Sequence, residues 1–189
     1  MNDTLALRLK ALGLLAVSAV LVFAFADQLL NSDLPCPLCI LQRVGFVLAG
    51  FGLALNLKFG QRASHYAVVV LGAAAALTVA VRQVLLHIVP GSGSYGEPFL
   101  GLHFYTWAAI VFFVMIVGAA LLTLFEQGFR TAGRERPLEG PRDRLTLTAL
   151  ILFTVLVAAN GISTLLESGG GLCPDNPTGY ELLSFQADV

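Results

Sequence analysis

Apolar positions in this chain fall into five long runs separated by shorter polar breaks. A helix that crosses a bilayer needs about 20 mostly apolar residues. Five segments meet that requirement: about residues 11–30, 38–57, 65–89, 102–125 and 145–166. The period-two alternation of lipid-facing strands is missing, which argues against a β-barrel. The pattern predicts an all-α integral membrane protein with five spans. Three charged residues interrupt the runs: Asp27 near the end of the first, Arg43 in the second and Arg82 in the third.

Composition supports this reading. Of 189 residues, 57% are hydrophobic and only 12% charged, against about 25% charged in an ordinary soluble domain. A soluble fold of this size could not hide so much apolar surface, and disorder needs the opposite composition. A net charge of -1 argues against nucleic acid as a partner.

Basic residues set the orientation, because they concentrate in cytoplasmic loops. Arg8 and Lys10 precede the first span, and Lys58 and Arg62 lie between the second and third. Arg130, Arg134, Arg136, Arg142 and Arg144 lie between the fourth and fifth. With five spans these nine of the 11 basic residues share one side. The opposite loops carry acids only: Asp33, Glu97, Glu167, Asp175, Glu181 and Asp188. The N-terminus is thus expected in the cytoplasm and the C-terminus outside. Arg8, Lys10 and the later Ala24-Phe25-Ala26 also resemble a cleavable signal peptide, but a retained span is preferred, and the downstream orientation is the same either way. The mixed charges of 126–144 read as a solvated cytoplasmic loop.

All three cysteines fall on the external side. Cys36 and Cys39 form Pro35-Cys36-Pro37-Leu38-Cys39 at the mouth of the second span, and Cys173 follows the fifth. An extracytoplasmic space permits disulfides. Two cysteines separated by two residues can close a reactive ring, and a helix N-terminus favours the thiolate. Pro37 is tolerated in a first turn. Arg43, four residues after Cys39, shares its helix face about 6 Å further into the membrane. A cation within a span costs about 2.5–3.5 kcal/mol on insertion scales, so Arg43 points to an anionic or polar partner; a thiolate and a reducible cofactor that gains negative charge both fit. The plainer alternatives are a structural disulfide or half a metal site for the cysteines, a snorkelling Arg43, and an Arg82 bonded to carbonyls or to Asp27. His87 and His103, near the external ends of the third and fourth spans, could join a zinc or copper site but more often cap helix ends. His65 lies at the far end. Phe99, Phe104, Tyr105 and Trp107 read first as an interfacial aromatic belt and only second as a wall for a flat ring. Gly91, Gly93 and Gly96 match GxGxxG without the flanking strand and helix that motif needs, so they read as turn residues.

Pro35-Cys36-Pro37-Leu38-Cys39-Ile40-Leu41-Gln42-Arg43 resembles the signature of the DsbB disulfide bond formation family. Val81-Arg82-Gln83-Val84 is similar to the family's third-helix arginine region, and Phe99-Leu100-Gly101-Leu102 with Trp107 to the start of its fourth helix. The resemblance covers about residues 11–125. It implies a four-helix bundle of the bacterial inner membrane that reoxidises a periplasmic thioredoxin-like dithiol protein, DsbA, and passes electrons to a quinone, ubiquinone or menaquinone. It implies catalytic roles for Cys36 and Cys39, with Cys39 the sulfur nearest the quinone and Cys36 facing thiol exchange. It also implies that Arg43, Gln42 and, more weakly, Arg82 bind the quinone.

The chain departs from the family in two respects. Family members carry a second cysteine pair on a long loop between the third and fourth helices. Here about residues 87–103 join those helices, without a cysteine. The fifth span is additional and places Cys173 outside as a possible auxiliary thiol. The expected organisation is a DsbB-like four-helix membrane domain at 1–126, a cytoplasmic loop at 127–144, a fifth transmembrane helix at 145–166 and a periplasmic tail at 167–189. The expected function is a membrane thiol:quinone oxidoreductase with a periplasmic dithiol partner, no metal and no nucleic acid. The alternatives are a membrane metal-binding protein using Cys36, Cys39, Cys173 and a histidine, and a non-enzymatic membrane subunit. Gly45 and Ala49, spaced for close helix contact, suit any of them.

The topology has a direct check. A reporter active only in the periplasm should work when fused after Val189 and fail when fused near Gly133. The reverse pattern would remove Cys173 from the cysteine side.

Overall fold

A computed structural model describes residues 3–30, 34–89, 91, 93–94, 96, 98–125, 144–174 and 177–184. Asp33, Glu97, Asp175, Asp188, Arg130, Arg134, Arg136 and Arg142 lie outside the described residues, as does the expected loop up to residue 143. The helices are α1 (Asp3–Leu30), α2 (Pro37–Phe59), α3 (Ala63–Leu86), α4 (Phe104–Phe125), α5 (Arg144–Ser168) and the short α6 (Glu181–Ser184). The first five are long and apolar enough to cross a membrane. Among the described residues there is no strand, only an isolated bridge between Phe99 and Leu102. The chain is an all-α, multi-pass membrane protein.

The helix ends follow from local chemistry. α1 begins eight residues before the expected span, because Arg8 and Lys10 continue the helix; Lys10 is buried with its ammonium over the Tyr66 ring at 5.9 Å, an arrangement that offsets part of the desolvation cost. At the start of α2, Cys36 is the N-cap, with extended backbone, and its sulfur accepts from the Cys39 N–H at 3.2 Å; Pro37 follows in the first turn. The α2–α3 turn closes on Asn56, whose side-chain oxygen accepts from the Arg62 N–H and lies 3.2 Å from the His65 ring. His65 therefore sits at the end opposite the cysteines, as its position in the chain implies. α3 stops at Leu86, three residues early, where His87 caps it. α4 starts at Phe104 because Leu100 (φ 51) and Gly101 (φ 80) turn the chain sharply between Phe99 and Leu102.

α2 packs most extensively on α3, and α3 on α4, while α1 packs on α2 and α5. Small residues bring α2 and α3 together: a side chain at Gly45 would overlap Ala76, and one at Gly72 would press on Leu48 and Ala49. Such close approach favours helix association where lipid supplies no hydrophobic drive. Phe46 and Phe112 stack at 4.1 Å at the centre of α2, α3 and α4. α5 lies along α1 and α2, with the Phe153 ring against Gly50 and Val17 beside it. The spatial sequence is thus α4, α3, α2, α1, α5. α1 and α4 flank α2 and α3 without packing extensively on each other, and the space between them at the cysteine end is a cavity.

Candidate active site

The site is built from the first turns of α2, the facing turn of α3 and the last turns of α1. Cys36 is buried and Cys39 half-buried, and both are free thiols. The capping role turns the Cys36 sulfur inward, toward the helix N–H groups. The next inward element is α3, which presents Gln83. This buried amide donates to Cys36 Sγ at 3.5 Å and to Cys39 Sγ at 3.7 Å, and its oxygen accepts from Gln42 Nε2 at 2.6 Å. The acceptor role fixes the amide's orientation, so that its NH2 group faces both sulfurs. The Cys36 thiol is held below its ordinary value of 9.0, chiefly by the side chain of Cys39. Burial opposes the shift, and the Cys39 N–H, Gln83 and the Leu38 N–H support it. A thiolate so stabilised makes the corresponding disulfide easier to reduce.

One turn below Cys39, Arg43 reaches across to α1. It donates to Gln28 Oε1 at 2.7 Å and to the Ala24 carbonyl at 2.9 Å, and its guanidinium lies over the Phe25 ring at 5.7 Å. It does not snorkel. A half-buried guanidinium with oxygen acceptors and an aromatic face keeps its charge at reduced cost.

Cys39, Gln42, Arg43 and Gln83 line one side of a cavity of about 420 Å³. Phe23, Ala24 and Asp27 of α1 form another side, and Phe99, Phe104, Tyr105 and Trp107 close it. The four aromatics expected mainly as an interfacial belt are therefore cavity wall. The Phe23 ring is tilted against Phe99 and edge-on to Phe104, each at 5.2 Å, and the Trp107 indole donates to the Phe99 carbonyl at 2.9 Å. Gly91, Gly93 and Gly96 all have positive φ, as a turn requires. Gly96 lines the cavity, and its carbonyl lies 3.2 Å from His103 Nδ1.

Cys36, Cys39, Gln42 and Arg43 are thus brought together, and Arg82 is not. Its side chain is exposed beside Leu77, Val81, Leu85 and Leu86. One residue along a helix is a rotation of about 100°. The residue that faces the sulfurs is therefore its neighbour Gln83, which sequence reasoning quoted but did not select. Gln28 was also missed. A glutamine near the end of an apolar run was the available signal in both cases.

Cys173 lies beyond the end of α5, half-buried, in the company of Glu167 and Glu181. Burial and these two acids hold its thiol above the ordinary value. Glu167, expected among the loop acids, belongs instead to the last turn of α5 and is fully buried. His87 and His103 each stack on Tyr105, with ring centroids 5.3 Å from the Tyr105 ring, and His87 Nδ1 lies 2.8 Å from the Gln83 carbonyl. Among the described residues no group of three or more His, Cys, Asp or Glu side chains could hold a metal ion.

Fold and site define a multi-pass helical membrane protein with a CxxC thiol pair capping a span above a cationic, apolar-walled cavity. The family model described as Disulfide bond formation protein DsbB matches residues 7–96 of the chain. The match contains α2, α3 and most of α1. The matched family suggests oxidoreductase chemistry of disulfide bond formation at a membrane. No curated protein and no solved structure matches the chain.

The Cys36 environment predicts its pH behaviour. A thiol reacts as the thiolate, so a lowered value moves half-maximal alkylation of Cys36 below pH 9. Gln83→Ala removes a donor that favours the thiolate and should move that midpoint upward. Peptide-level mass spectrometry of a pH series tests both; a wild-type midpoint at or above 9 would refute the assignment.

Proposed function

We propose that the chain is a thiol:quinone oxidoreductase of the bacterial inner membrane. It oxidises a periplasmic, thioredoxin-like dithiol protein and transfers the electrons to a membrane quinone, ubiquinone or menaquinone. The observation that carries this reading is the cavity wall that Cys39 and Arg43 share. The residues suit a quinone. The volume falls within the usual range of small-ligand pockets, about 300–1,000 Å³, with apolar and aromatic walls and few polar groups. The Arg43 guanidinium would compensate negative charge on a reduced ring held there. A bound quinone supplies a two-electron, two-proton acceptor.

The chain's own residues account for the rest. A partner thiolate attacks the Cys36 sulfur of the Cys36–Cys39 disulfide, which breaks that bond and releases Cys39 as a thiolate at the cavity wall. A second partner thiolate then resolves the mixed disulfide, leaving the partner oxidised and the Cys36–Cys39 pair reduced. Gln83 holds both sulfurs in register. Arg43 supplies fixed positive charge in a site poor in water, where such charge is most effective. Gln42 orients Gln83 and lies in the cavity wall.

Cys36→Ser and Cys39→Ser should each abolish dithiol-dependent quinone reduction by the purified protein. Arg43→Ala should lower kcat/KM for quinone by about 10²-fold, the usual loss for one preorganised charge-stabilising group, while disulfide exchange with a soluble dithiol survives. Wild-type turnover in either serine variant would end the redox reading, and equal loss of both steps in Arg43→Ala would mark the arginine as structural.

Cys173 is a candidate auxiliary thiol, since the second cysteine pair of the family is missing from the α3–α4 connection. Its raised value makes it a weak attacking group in the resting protein. In this reading Cys173 forms a transient mixed disulfide with Cys36. Non-reducing mass spectrometry of a mildly oxidised Cys39→Ser protein should then show a Cys36–Cys173 linked peptide. A freely alkylatable Cys173 there, with full activity in Cys173→Ser, would exclude it.

A further inference from the structure

Arg43 is held by a chain of side chains that ends outside the family-matched residues. Arginine only donates hydrogen bonds, so the Gln28 atom facing it at 2.7 Å is the amide oxygen. The Gln28 NH2 group must then point away from Arg43. It donates to Ser163 Oγ of α5 at 3.0 Å and to the Tyr180 hydroxyl at 2.8 Å. These two bonds use both donors of the amide. Without them Gln28 could rotate by half a turn and set its NH2 against the guanidinium, where no hydrogen bond forms.

Two further features place this network behind the cavity. Glu167 lies one helical turn after Ser163, on the same face of α5. It is fully buried, and among the described residues its two oxygens have no hydrogen-bond partner. Asp27, next to Gln28, lines the cavity itself. Arg43 therefore has the cavity on one side and, on the other, a polar wall contributed by α5 and the tail.

We propose that Tyr180 is a positioning residue for the quinone pocket, its hydroxyl locking the Gln28 amide so that Oε1 holds Arg43 at the cavity wall. Ser163 performs the same task from α5. The proposal rests on the quinone reading above. It assigns to the fifth span and the tail a task in the pocket, that of orienting Gln28 and Arg43, which the family-matched residues supply. It also joins the segment that carries Cys173 to the electron-accepting end of the site.

Tyr180→Phe tests this with little risk to folding, because it removes one oxygen and keeps the ring. Two measurements on the full-length protein in detergent are needed. The first is the rate at which phenylglyoxal modifies Arg43, followed by mass spectrometry with no quinone present. The second is the affinity for a short-chain ubiquinone analogue, read from quenching of Trp107, the single tryptophan and a cavity-lining residue. Tyr180→Phe should speed Arg43 modification several-fold and weaken the analogue's affinity by about threefold to tenfold, the usual effect of losing one neutral hydrogen bond. Ser163→Ala should act in the same direction. In an Arg43→Ala background Tyr180→Phe should add nothing, because the two act as one unit. An unchanged modification rate in both variants overturns the lock, whatever the quinone result. An additive loss of affinity in the double variant overturns Arg43 as the point of action. If the wild-type protein shows no quenching by the analogue, the quinone reading fails and the proposal with it; faster Arg43 modification would then identify the lock as purely structural.

Discussion

A guanidinium inside an apolar bundle must find acceptors within the protein, because lipid offers none. Arg43 finds them on α1, in the Ala24 carbonyl and the Gln28 amide. That requirement fixes much else. It draws the last turns of α1 against the first turns of α2, and it fixes the direction of the Gln28 amide, which then needs acceptors of its own from α5 and the tail. The same contacts hold the positive charge at the edge of the cavity that Cys39 also lines. An apolar residue at this position would remove the need for polar groups on three neighbouring elements.

The two sulfurs depend on a second amide. Gln83 is buried between α2 and α3, and its acceptor is occupied by Gln42, so its donors face Cys36 and Cys39. With the helix N–H groups that Cys36 caps, this gives the thiolate several donors in a place where water is scarce. A partly satisfied polar network in such a setting would be costly. Its members are spread over two helices, so the close α2–α3 approach at Gly45 and Gly72 also sets the geometry of the sulfurs.

The family-matched residues, 7–96, contain Cys36, Cys39, Gln42, Arg43, Gln83, Gln28 and Asp27. Other parts of the site come from beyond that segment. α4 and the turn before it close the cavity with aromatic rings, while α5 and the tail back the arginine. The fifth helix therefore packs against the same turns of α1 that hold Arg43 and is continuous with the site.

The hydrophobic pattern by itself determined the five spans, since each must match the thickness of a bilayer. Helix-end chemistry made the Cys36–Cys39 pair at the mouth of the second span legible, and i to i+4 spacing placed Arg43 beneath Cys39. These are local properties, read within one helix. Tertiary structure decided which face of each helix meets which neighbour. Rotation of α3 put Gln83 at the sulfurs and left Arg82 exposed, a difference of one residue that hydropathy could not resolve in a span apolar on all sides. Likewise, Glu167 looked like a loop acid from its place after an apolar run, but α5 continues for two more residues and buries it. Phe99, Phe104, Tyr105 and Trp107 have the composition of a membrane belt, and only the gap between α1 and α4 makes them a cavity wall. The partners of Gln28, 135 and 152 residues away in the chain, leave no local periodicity, because they are set by how α5 lies along α1.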